Sequence, residues 1–117
     1  MTNESTPAMI AKACWRAAEL VEQGHCKGAF AKTASGVATT PCNQNAVAWC
    51  AEGAYFRAER EVSGVSAFAW ERGRDALRAV IRGRWPTDWN GAPERTADEV
   101  AAAFRLAAER IEAMRAT

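Results

Sequence analysis

The chain has 117 residues, 15 Lys+Arg against 14 Asp+Glu and a formal charge of +1, which fits one compact domain and excludes a histone-like polycation. A hydrophobic fraction of 49% argues against general disorder, and no run of about 18 apolar residues offers a membrane span. Met1 to Thr6 lack the apolar core of a signal peptide, so the expectation is a cytoplasmic protein in a reducing compartment, with residues 1–6 a flexible start and 7–117 a single helical domain.

Thr6-Pro7 reads as an N-cap followed by Pro at the first helical position, where a missing N–H is harmless. Ile10, Cys14, Ala17 and Leu20/Val21 then recur at helical spacing, and Gly24 suits a left-handed stop, which predicts a first helix from Pro7 to Gln23. Two short extended runs, one ending near Lys32 and one over Val37 to Thr40, flank a Ser35-Gly36 turn and predict a small hairpin lying against the helices. Pro41 to Asn45 is a connector, with Asn43 or Asn45 as the next N-cap.

A second helix is predicted over Ala46–Arg60, with Val47, Cys50, Ala51, Ala54, Tyr55 and Ala58 inward and Gly53 as a notch for a close backbone approach. Ser63 to Ser66 breaks the pattern. A third helix follows over Ala67–Arg82, with Trp70, Leu77, Val80 and Ile81 inside and Gly83 and Pro86 ending it. Arg84 to Arg95 reads as an ordered loop if its indoles are buried. Thr96-Ala97-Asp98-Glu99 is a capping box that opens a fourth helix carrying Val100, Phe104, Ala107, Ile111 and Met114. The expected architecture is mainly α (α+β): a compact four-helix domain with a small β-hairpin between helices 1 and 2. The Ala-rich second and fourth helices permit close packing, either within the monomer or across the two-fold of a homodimer.

Four cysteines and a single histidine, His25, are present without a C-x2-C knuckle, so no metal or other cofactor is expected. Cys14 and Cys50 read as small core hydrophobes. No Ser-His-Asp set and no Gly-rich phosphate loop after a strand is evident, which disfavours an enzyme. A cysteine enzyme using Cys26 or Cys50 ranks last among the readings.

The sharpest charge feature is Arg72 to Arg84, where five arginines face one aspartate for a local charge of +4. Arg74, Arg78 and Arg82 are spaced to form one ridge on the third helix, running through Arg84 into Trp85 and Trp89. The plainest account is a solvated face beside a Trp-filled core. A protein-binding surface comes next, since Arg and Trp are common anchors, followed by a nucleotide or nucleic-acid site. Asn90 and Arg95 are further donors; with Glu52 they would converge on a small polar ligand, although Glu52 faces away from the Cys50/Ala54 stripe unless the second helix is buried on both faces. A structural turn role for Asn90-Gly91 is preferred over that convergence.

Three ordered motifs, Cys26-x-Gly28-Ala29-Phe30-Ala31, Trp49-Cys50-x-x-Gly53-Ala54-x-x-Arg57-Ala58 and Trp89-Asn90-x-Ala92-Pro93-x-Arg95-Thr96-x-x-Glu99-Val100, resemble an uncharacterised family of small actinobacterial and phage-associated proteins. Gly91 departs from that pattern, which usually has Asp after the Asn. The resemblance implies a shared fold and carries no activity. The functional expectation is a non-enzymatic intracellular interaction protein, an inhibitor or accessory factor of phage or mobile-element type. It would bind a host or phage protein with an acidic or aromatic surface through Arg74, Arg78, Arg82, Arg84, Trp85, Trp89, Asn90 and Arg95. The alternative is a pocket that sequesters a small anionic ligand such as a nucleotide signal.

Overall fold

The structure is a computed structural model that describes residues 6–63 and 70–115. The expected start over 1–5, the break and helix opening over 64–69 and the side chain of Trp70 lie outside the described residues. The first helix, α1 (Pro7–Gln23), opens as its sequence predicts: Thr6 Oγ1 accepts the Met9 amide at 3.2 Å and Pro7 fills the first turn. Its stop differs. Gly24 has φ −172°, ordinary extended backbone, and glycine is required there because a Cβ would lie 2.1 Å from the Val47 carbonyl oxygen.

That close approach belongs to a small sheet. Strands β1 (Ala31–Thr33) and β2 (Ala38–Thr39) form the expected hairpin, with Gly36 at φ 86° in its turn. The segment Ala46–Trp49, expected to start the second helix, is instead a third strand, β3. It pairs antiparallel with β1, giving the order β2-β1-β3, with a register irregularity between Lys32 and Thr33. On its other edge β3 meets the chain leaving α1: the Trp49 amide donates to Gly24 O at 3.0 Å and the Cys26 amide to Trp49 O at 3.1 Å. With hydrogen-bonding edges available on both sides, the apolar run is most fully satisfied as a strand. The asparagines before it close a turn rather than capping a helix, since Asn43 Oδ1 accepts the Asn45 amide at 2.7 Å.

Helix α2 (Ala51–Ser63) therefore starts five residues later than expected. Gly53 is the expected notch for a close backbone approach: a Cβ there would lie 1.9 Å from Phe30 O, in the segment just before β1. Helix α3 (Trp70–Val80) ends two residues early, and Arg82 and Gly83 leave it in left-handed conformations, φ 60° and 75°. The expected loop contains a short helix, α4 (Pro86–Gly91), with Pro in its first turn. Helix α5 (Ala97–Arg115) opens on the capping box, in which Glu99 Oε1 accepts the Thr96 amide at 2.9 Å and Thr96 Oγ1 accepts the Glu99 amide at 3.2 Å. Five described helices and a three-stranded sheet thus replace the expected four helices and hairpin.

Helix α1 is the spine, packed against α2 and α5, with α3 closing over α5. Cys14, Leu20, Val21, Tyr55, Leu77, Val100 and Phe104 are almost fully buried between them. Gly73 on α3 makes room for the Tyr55 ring, which a Cβ would meet at 2.2 Å. Cys14 behaves as the expected core hydrophobe; burial, reinforced by the nearby Glu59 carboxylate, pushes its thiol up to about 12. Among the described residues no helix is long and apolar enough to cross a membrane.

Candidate functional site

The early end of α3 divides the eight predicted residues into three groups. A continuous Arg74–Arg78–Arg82 ridge on one helix does not form, because Arg82 lies beyond the end of α3 in a left-handed conformation. Arg74 and Arg78 instead flank Trp85, their guanidinium carbons 5.3 and 4.2 Å from the ring centroid. Arg78 is fixed there by a fork onto one carbonyl: Nε and Nη2 donate to Gly83 O at 3.0 and 2.7 Å. Arg74 Nε lies 3.5 Å from Asp75 Oδ1. The Trp85 indole is 53% exposed. It is thus a large apolar surface held outward by cations, an arrangement worth roughly 0.5–1 kcal/mol per cation–π contact at an exposed site.

Trp89, the second indole, is 7% exposed and belongs to the core. Arg95 lies over it at 4.3 Å, donates through Nε to Trp89 O at 3.0 Å and contacts Glu99 Oε2 through Nη1 at 3.3 Å. Trp89, Arg95, Arg82 and Arg84 line one open cavity of about 520 Å³ between the α3–α4 corner and α5, with Val80, Ile81, Ala103 and Leu106 as apolar surface.

Asn90 stands apart from both. It is 2% exposed, and its Oδ1 accepts the Ala51 amide at 3.0 Å while Nδ2 donates to Cys26 O at 3.2 Å. The same Oδ1 lies 2.8 Å from His25 Nε2. Since that oxygen only accepts, the imidazole must carry its proton on Nε2. Asn90 therefore caps α2 from α4, satisfying an orphan helix amide across the fold. Cys50 satisfies another, its Sγ accepting the Gly53 amide at 3.3 Å. The predicted structural role for Asn90 is borne by this network rather than by a turn of its own.

Glu52 and Asn90 do line a common cavity of about 270 Å³, together with Phe30, Cys50 and Thr87. In the first turn of α2 the Glu52 carboxylate accepts a hydrogen bond from Thr87 Oγ1 at 3.3 Å. Arg95 is not part of this group. Burial pushes the Cys50 thiol up to about 11, partly offset by the Gly53 amide, and burial likewise raises Cys26. Burial thus favours the protonated thiol at both positions. Among the described residues no group of three or more His, Cys, Asp or Glu is placed to hold a metal ion. Sequence reasoning missed His25 and Thr87, whose partners are distant in the chain; the local signal was only that His25 is the sole histidine.

A mainly helical domain with a cation-flanked indole at one corner and an arginine-lined cavity beside it is the class that fold and site define. The chain belongs to DUF6197, a family of unknown function whose model matches residues 5–110. No curated protein and no solved structure matches it.

Proposed function

We propose that this chain is a non-enzymatic interaction protein that binds an acidic or aromatic surface of a partner protein through Trp85 and the arginines around it. The observation that carries the reading is the half-exposed Trp85 ring, in cation–π contact with both Arg74 and Arg78. An indole is normally buried unless its surface has a use, and Trp and Arg dominate the energetics of interface centres. Because Arg78 is already locked onto Gly83 O, little conformational entropy is lost when a partner covers the ring. Arg82 and Arg84 are exposed nearby in the chain and supply the positive rim that selects an acidic partner. A phage or mobile-element setting suits a small protein of this kind, acting as an inhibitor or accessory factor by covering a partner's surface.

The test is differential capture. Wild-type protein and Trp85→Ala are immobilised at equal density and exposed to lysate of the source cells, with bound proteins quantified by mass spectrometry at low and high salt. A partner retained by wild type, lost with Trp85→Ala and weakened by salt supports the reading. Identical capture by the two proteins refutes it.

A further inference from the structure

We propose that the cavity between the α3–α4 corner and α5 binds a small phosphate-bearing ligand of nucleotide size, at a site that shares Arg82 and Arg84 with the rim of the Trp85 surface but does not include the Trp85 ring. Three arginines, Arg82, Arg84 and Arg95, line it against one acidic residue, Glu99. That carboxylate is already engaged, contacting Arg95 Nη1 at 3.3 Å and accepting the Thr96 amide at 2.9 Å. Arg82 and Arg84 make no ion pair among the described residues, so the cavity keeps two uncompensated cations. Guanidinium forks match phosphate oxygens in geometry as well as charge.

The backbone singles out Arg82. It sits at φ 60°, a left-handed conformation that glycine takes freely and arginine does not. The turn itself gives no reason for arginine at that position, whereas the cavity that Arg82 lines does. Arg95, held over Trp89 at 4.3 Å and bonded to its carbonyl, forms a rigid back wall. Ile81, Ala103 and Leu106 offer apolar surface to a ring, and a cavity of about 520 Å³ accommodates a mononucleotide. A long polyanion is disfavoured by the chain's net charge of only +1, since affinity for nucleic acid grows with the number of phosphates neutralised.

Isothermal calorimetry and thermal melting of the full chain with ADP, pyrophosphate, adenosine and a single-stranded oligonucleotide test the site. ADP is expected to bind and raise the melting temperature, pyrophosphate to bind more weakly, adenosine to do neither, and salt to weaken binding. Arg84→Ala and Arg82→Gly should each weaken ADP by about tenfold or more. Arg82→Gly should do so without lowering the melting temperature, because it relieves the left-handed residue, and Trp85→Ala should leave ADP binding unchanged. The site is refuted if neither ADP nor pyrophosphate binds at millimolar concentration, or if ADP binds equally to Arg82→Gly and Arg84→Ala. Tighter binding of the oligonucleotide than of ADP also overturns it, in favour of nucleic acid.

Discussion

Arg78 donates two hydrogen bonds to Gly83 O and presents the face of its guanidinium to Trp85, 4.2 Å from the ring centroid. One side chain thereby closes the end of α3 and positions the exposed indole. Stability and recognition separate at this point, because the ring contributes little to the core. Trp85→Ala should lower unfolding free energy by about 1–2.5 kcal/mol, the value of two exposed cation–π contacts plus modest burial. Denaturant titration measures this, and a loss above about 3 kcal/mol would reassign Trp85 to the core.

Asn90 is the opposite case. Asn90→Ala leaves the Ala51 amide, the Cys26 carbonyl and the His25 N–H without their shared partner. Each unsatisfied buried group costs about 1–3 kcal/mol, so a total loss of about 3 kcal/mol or more is expected in urea unfolding, with water replacing some of the contacts.

Glycine substitutions separate steric from conformational demands. Gly24→Ala and Gly53→Ala drive a Cβ into backbone oxygens at 2.1 and 1.9 Å and should each destabilise by about 2 kcal/mol or more. At Gly91, where nothing lies within 4 Å of the new Cβ, alanine should be neutral within about 0.5 kcal/mol. Thermal melts of the three variants give the ranking directly.

Thiol reactivity follows burial. Cys42 is exposed, whereas Cys14, Cys26 and Cys50 are buried and their thiols are raised. Iodoacetamide at neutral pH should label Cys42 in the native protein and the other three only after unfolding. Rapid native labelling of Cys50 would restore the case for a cysteine nucleophile.

Acid should weaken the contact between α1 and α2. Burial alone would raise Glu61, but hydrogen bonds from Arg16 at 2.7 Å and Arg57 at 2.8 Å outweigh it and hold the carboxyl below its ordinary range. A carboxylate depressed in the folded state contributes stability above its unfolded pKa, and that contribution is lost as pH falls through the folded value. Glu61→Gln should therefore cost the most stability above the unfolded pKa, change it little once the pH is below the folded value, and so flatten the acid limb. An unchanged acid limb would show that the ion pairs contribute nothing.

Local contacts were the legible part of this molecule. Thr6-Pro7 and Thr96-x-x-Glu99 state their caps within four residues, and both helices begin where those residues say. A helix read from Ala46 fails because the amide partners of β3 come from Gly24 and β1, which no local pattern reveals. The same shift moved the start of α2, whose first turn carries Glu52 beside Thr87 and Asn90. Arg78 and Trp85 could be named as candidates from composition, but their stacking depends on α3 stopping at Val80, two residues short of the predicted end. Helix stops at left-handed arginine are hard to foresee, since glycine at the next position satisfies the usual rule.

The most direct test of Trp85 as a recognition surface pairs capture with melting on one sample set. Trp85→Ala is expected to stay folded and to lose the salt-sensitive partner by about thirtyfold or more, equivalent to about 2 kcal/mol at an interface centre. Retention of every captured protein by a well-folded Trp85→Ala would contradict it.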